Sequence, residues 1–344
     1  MKYWIFLLVV VIGSGCAVKK NVGTDVQISY ERIWSEAPHS AFTDLIRYKG
    51  KFYCAFREAP GHVSGPKGTA RVISSADGKT WSSVAHFKME GLDLRDPKLS
   101  ITPDNQLMVL IDVESYRDNQ VETRKPYVSF STNGTDFSAP FASAIDPAVA
   151  EKSDWVWRVT WDRGVGYAID YQHKAIHLLK TNDGKSFQQV SNIPVSGYPN
   201  ESTIRFDQKG KIYVLIRREQ EDKMGVLATS EAPYQNWTFH KLTERIGGPN
   251  FIFLNDSTLC IGSRQYIPNP PGAEKEYKKY ITSLFITDLN GKIKKTIPFE
   301  KSLGDTSYPG LVVYQGQLWV SYYSSHEEKT AIYLAKIPLN LLKP

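Results

Sequence analysis

Along this chain, runs of alternating apolar residues meet a polar turn and continue into a second apolar run, six times over. The copies are DLIRYKGKFYCAFR (44–57), KLSITPDNQLMVLID (98–112), RVTWDRGVGYAIDY (158–171), TIRFDQKGKIYVLIRR (203–218), FIFLNDSTLCIGSR (251–264) and GLVVYQGQLWVSYY (310–323). A period of two, filled by Val, Ile, Tyr, Phe and Trp, predicts strands, and the KG, DN and QG steps predict tight hairpin turns. The turns fall at Gly50, Asn105, Gly164, Gly210, Asp256 and Gly316. That recurrence, about every 50 residues, belongs to repeat folds. No long helical period competes with it.

Three copies are followed by a second motif: SADGKTW (75–81), STNGTDF (131–137) and TNDGKSF (181–187). In each, an Asx side chain can bond the turn backbone, Gly supplies positive φ, and a terminal aromatic can fold back onto the sheet. The motif resembles the Asp-box of sialidase-like proteins, with reduced copies at TSEAPYQNW (229–237) and TDLNGKI (287–293). It is read as structural. A hairpin plus an Asp-box hairpin makes a four-stranded blade, so the expected fold is all-β, a six-bladed β-propeller spanning 27–340. QISYERIW (27–34) is expected to join the last blade and close the ring, which removes exposed sheet edges.

The start of the chain follows other rules. MKYWIFLLVVVIGSGC (1–16) has a Lys, a short apolar run and small residues before Cys16. This is the layout of an export signal, and the GSGC ending resembles a bacterial lipoprotein signal in which Cys16 takes the lipid. Residues 17–26 are read as a linker. The expected location is the cell envelope or outside the cell, with membrane contact only through the lipid anchor. Cys54 and Cys260 lie in apolar strand-like runs and are expected as buried free thiols. No Cys/His spacing suggests zinc, and neither metal nor cofactor is expected. The net charge of +6 is scattered rather than clustered. That argues against nucleic acid and suits acidic sugars held by isolated arginines. The chain is expected to act as a monomer.

In a propeller, the residues at the start of each inner strand converge at one mouth of the central channel. Here these are HSAFTD (39–44), LRDPK (94–98), WVWRVTW (155–161), YPNES (198–202), GGPN (247–250) and TSYPG (306–310), with arginines at the ends of second strands. The expected site gathers Arg57, Arg95, Arg158, Arg217 and Arg264 with Asn200, Asn250, Glu201 and Tyr308 in one shallow bowl. His62, in the Gly/Pro-rich loop of blade 1, is the candidate for proton transfer. The tryptophans at 155, 157 and 161 offer a stacking platform, although Trp161 should alternate into the core.

NESTIRF…KGKIYVLIRR is similar to the fourth blade of exo-sialidases, SYPGLVVYQGQLWVSYY to the sixth, and GSRQY (262–266) falls where the blade-five arginine stands. The resemblance implies that Tyr308 is the nucleophile, Glu201 its general base, and Arg217 and Arg264 the carboxylate clamp. A neutral phenol as nucleophile avoids repulsion from an anionic sugar, and bidentate arginines suit a planar carboxylate. Blade 1 departs from the family. It reads SAFTDL, without the arginine, and its loop has no Asp acid, while LRDPK in blade 2 carries the arginine-bearing pattern one blade later. Three functions follow: an exo-acting glycoside hydrolase for acidic glycans, a lyase or dehydratase eliminating from uronates through Tyr308, His62 and the arginines, or a glycan-binding lipoprotein without turnover.

Overall fold

The computed structural model describes Met1 and residues 27–63, 68–118, 120–268 and 279–344. The export-signal and linker readings, and Cys16 with them, lie outside the described residues. The chain forms six sheets whose first strands contact one another around a central axis, a six-bladed β-propeller. The sheets are antiparallel except for the short parallel edge strand Ala144–Ile145 of blade 3. The inner strands of blades 1, 2, 4, 5 and 6 are His39–Tyr48, Leu92–Ile101, Pro199–Phe206, Asn250–Asn255 and Thr306–Tyr314. The strand Ser29–Trp34 pairs antiparallel with Ala331–Pro338, so the N-terminal segment supplies the outer edge of blade 6 and closes the ring.

Blade 3 differs from its alternation pattern. Its inner strand is two pieces, Trp155–Val156 and Thr160–Asp162. The break at 157–159 buries Trp157 completely and directs Arg158 across the channel to Asp44 in blade 1, at 2.6 Å. Trp157 is therefore core and offers no stacking face, and Trp161 is half-buried, its indole N–H donating to Ser100 at 3.2 Å.

The Asp-box turns lock the blades together. Asp77 Oδ1 accepts the backbone N–H groups of Lys79 and Thr80 at 2.8 and 2.9 Å, and Ser75 Oγ accepts that of Gly78. Asn133 and Asp183 repeat the pattern. Gly78 has φ +69°, and a Cβ there would stand 2.1 Å from the indole of Trp319 in blade 6. The turn of one blade thus seats on the second strand of the preceding blade, so the box positions blades and not substrate. Cys54 and Cys260 are both buried and free.

Four inner strands carry a two-residue bulge at the same height. Pairing skips Phe42–Thr43, Asp96–Pro97, Asn200–Glu201 and Tyr308–Pro309. Phe42, Asp96 and Tyr308 have positive φ (63°, 44° and 53°). Bulged residues leave the period-two alternation, and these aim their side chains at the channel mouth. Left-handed backbone is unfavourable for aromatic residues and persists only where surrounding packing enforces it, a common feature of functional sites.

Candidate functional site

The bulges of blades 4 and 6 bring Glu201 and Tyr308 together. The Tyr308 hydroxyl donates to Glu201 Oε1, and Arg217 Nη1 approaches both groups, 2.5 Å from Glu201 Oε2 and 3.3 Å from the phenol oxygen. The Gly248 N–H completes the shell of Glu201 at 2.8 Å. Arg217 turns its other edge to Glu219, which Arg245 neutralises from outside at 2.7 Å.

This environment separates the two protons. Burial would raise the Glu201 carboxyl, but Arg217, the Tyr308 hydroxyl and the Gly248 N–H together hold it below its ordinary range. Burial, reinforced by the charge of Glu201, pushes the Tyr308 phenol well above its ordinary range, and Arg217 opposes only in part. In the resting state Glu201 is therefore the ionised acceptor and Tyr308 the donor.

A second cluster borders the first. Asp305 Oδ2 accepts from His39 Nε2 at 2.9 Å and from His62 Nδ1 at 2.6 Å. Asp305 Oδ1 accepts from Arg264 Nη2 at 3.1 Å and from the Tyr323 hydroxyl at 2.8 Å. These hydrogen bonds and the Arg264 charge overcome the effect of burial and leave the Asp305 carboxyl far below its ordinary range. The Phe42 ring joins the clusters, edge-on to Tyr308 at 4.9 Å and to His62 at 5.0 Å. His62 is 42% exposed at the side chain, so its free ring edge faces the open bowl.

His39, His62 and Asp305 place one ligand atom each within 4.8 Å of one another, a spacing able to hold a divalent ion. Both rings already bond one carboxylate oxygen, and Arg264 supplies the countercharge to the other. The carboxylate is satisfied by these donors while His39 Nδ1 is left without a partner among the described residues, and a dication beside a guanidinium gains little from a single carboxylate.

Of the residues singled out from sequence, Glu201, Tyr308, Arg217, Arg264 and His62 converge. Asn200 shares the bulge, and its buried Oδ1 has no partner among the described residues. Arg95 reaches the rim, 5.8 Å from the ring centroids of Phe42 and Trp155, and bonds Glu114 at 3.4 Å. Three expectations are corrected. Arg57 is fully buried and spends its fork on Asp93 at 2.8–3.0 Å, between blades 1 and 2. Arg158 and Asn250 lie on inner-strand surfaces lining the opposite mouth of the channel. Trp155 is buried, stacked on Tyr171 at 5.5 Å and flanked by Arg124 at 5.3 Å, so its ring is taken by protein partners.

Sequence reading missed Asp305, His39 and Tyr323, and also the floor of the bowl. There Lys98 is buried 4.5 Å from the Trp157 ring centroid, its ammonium without a hydrogen-bond partner among the described residues. Burial lowers its pKa and raises that of Asp96 beside it. Both sit in LRDPK beside Arg95, and an Asp and a Lys flanking a proline bulge are their signal in the sequence.

No protein-family model matches the sequence, and no curated protein sequence matches it. Solved structures do. A Dyadobacter fermentans protein described as of unknown function superposes with a TM-score of 0.75 at 18% identity, over 90% of this chain and 98% of that one. A Trypanosoma rangeli sialidase in complex with the inhibitor DANA gives 0.69 at 12% identity, over 92% of this chain and 61% of that one. The same sialidase with 2,3-difluorosialic acid, described as a covalent intermediate, gives 0.68 at 10% identity, over 92% and 60%. This chain therefore has a sialidase-like propeller fold, and it spans about three-fifths of the length of those sialidases.

Proposed function

We propose that this chain is an exo-acting glycoside hydrolase that releases an acidic sugar, with Tyr308 as nucleophile. The observation that carries the reading is the Tyr308–Glu201–Arg217 constellation. A phenol, its base and a guanidinium come from blades 6 and 4, with the phenol on left-handed backbone. The likeness to sialidases, one of them described with a covalent intermediate, supports the same chemistry.

In the proposed reaction the Tyr308 oxygen attacks the anomeric carbon as Glu201 takes the phenol proton. The bond to the leaving oxygen breaks, and His62, held by Asp305, protonates that oxygen. Water then attacks the glycosyl-tyrosine, His62 accepts its proton, and Glu201 returns the first proton to Tyr308. Arg217 and Arg264 hold the sugar carboxylate and balance charge at the nucleophile. Because the resting phenol is a weak acid, proton transfer belongs to the attack itself, which is general base catalysis.

The test is turnover of a fluorogenic aryl sialoside together with 2,3-difluorosialic acid trapping, followed by peptide mass spectrometry. The expected result is turnover by the unmodified chain, none by Tyr308→Phe, and an adduct on the peptide carrying Tyr308. Activity surviving in Tyr308→Phe rejects the reading. Ultraviolet absorbance developing on a polyuronate, without sialoside turnover, replaces it with elimination.

A further inference from the structure

Arg158 and Asn250, expected in the bowl, line one cavity at the other end of the channel. The opposite mouth of the channel holds a cavity of about 250 Å³, lined by inner-strand residues that include Asp44, Arg158, Arg205 and Asn250. Its charges do not balance. Asp44 is saturated: Oδ1 accepts the Leu45 N–H at 3.0 Å, and Oδ2 accepts Leu99 N–H at 2.8 Å and Arg158 Nη1 at 2.6 Å.

Arg205 faces the same cavity with neutral partners among the described residues. Its Nη1 donates to the Ile204 carbonyl at 2.7 Å and Thr160 Oγ1 at 3.3 Å, and its Nη2 to Asn250 Oδ1 at 2.8 Å. The Nε–H and the second Nη2 hydrogen, which together make a bidentate edge, are left over. Arg158 Nε is buried and has no partner among the described residues. Burial and the neighbouring Arg158 charge push the Arg205 guanidinium down to about 9, so it remains a cation at neutral pH. Two guanidinium groups thus line one cavity with a single carboxylate, which only Arg158 bonds, between walls that include Leu45, Leu99 and Leu311. Arg205 is only partly buried, so its unpaired edge is accessible from the cavity, and guanidinium geometry selects an oxyanion as the partner.

We propose that this cavity is a second, non-catalytic site for a small oxyanion, phosphate-like or carboxylate-like, held by Arg205 and Arg158. An anion here ties the inner strands of neighbouring blades together at the end of the channel remote from Tyr308, and stabilises the ring without touching the chemistry.

The test is thermal unfolding of the full chain in inorganic phosphate or acetate against chloride at matched ionic strength. Phosphorus NMR line broadening follows phosphate binding directly on folded protein. The expected result is a saturable rise of about 2–4 °C at ten times the dissociation constant. Arg205→Gln abolishes the rise and the broadening, whereas Arg205→Lys keeps part of both and Arg264→Gln, in the upper bowl, keeps both. A greater response to acetate than to phosphate identifies the carboxylate form. An equal response to chloride, no phosphate broadening together with no acetate-specific rise, or loss in Arg264→Gln with retention in Arg205→Gln overturns the proposal.

Discussion

Tyr308 and Glu201 stand 107 residues apart in the chain and share one hydrogen bond across the channel mouth, between bulges of blades 6 and 4. Neither could reach the other from regular alternation. Removing either partner should therefore damage chemistry far more than folding. Tyr308→Phe and Glu201→Gln are expected to lower kcat by about 10²–10⁴-fold, the usual range for loss of a positioned proton acceptor or its nucleophile. For Tyr308→Phe the melting temperature should shift by the equivalent of only about 1–3 kcal/mol, the cost of one unmade buried hydrogen bond, and for Glu201→Gln by up to about 3–5 kcal/mol, because Arg217 loses a buried counter-charge. Steady-state kinetics beside thermal unfolding checks this; a variant that melts early but turns over normally contradicts it.

The same bulges explain what could be read from the sequence and what could not. Blade count, ring closure and the Asp-box turns follow from period-two runs and Gly-centred turns, which are local. Glu201 and Tyr308 were legible because each begins an inner strand. Arg57 was misplaced by one residue. Register pairs Ala41 with Arg57 and Pro199 with Arg218, so the blade-1 counterpart of Arg217 is Phe56, and Arg57 corresponds to Arg218. Both face a neighbouring carboxylate rather than the bowl, Asp93 for Arg57 and Glu221 for Arg218. Arg158 was misplaced because alternation gives the face of a strand and not the height along the channel, and because the break in blade 3 leaves no trace in composition. Asp305 was missed because it sits one residue ahead of its strand, and its importance lies in four donors from distant segments.

Gly78 tests whether the Asp-box is purely structural. Gly78→Ala places a methyl against the Trp319 ring on left-handed backbone. The two penalties sum to about 2–5 kcal/mol. Thermal unfolding should show that loss, while kcat measured well below the melting transition should equal that of the parent chain. A kinetic defect without a stability defect would put the box in the chemistry after all.

Asp170 gives a pH dependence whose sign is fixed. Burial, and next the charge of Asp154, raise its carboxyl to about 8 in the folded chain. In the unfolded chain an Asp titrates near about 4. Between those values the folded state keeps a proton that the unfolded state has released. Stability from this group is complete below pH 4 and declines as pH rises toward 8. Asp170→Asn keeps the shape and removes the titration, so its melting temperature should fall less between pH 5 and pH 9 than that of the parent. Parallel profiles for the two chains would show that Asp170 does not titrate in this window.

Asp305 decides between a proton relay and a metal centre at the bowl. His39 and His62 bond the same oxygen while Arg264 and Tyr323 hold the other, so the carboxylate orients His62 without an ion. Exhaustive treatment with a chelator should leave both turnover and melting temperature unchanged. Asp305→Asn replaces one acceptor oxygen by a donor amide, facing either the two imidazoles or the guanidinium. It is expected to lower kcat by about 10–100-fold, with a smaller effect on KM, since the proposed reaction gives the substrate carboxylate to Arg217 and Arg264. Loss of activity on chelation, restored by zinc, would instead make His39, His62 and Asp305 ligands, and would assign the leaving-group proton to a metal-bound water.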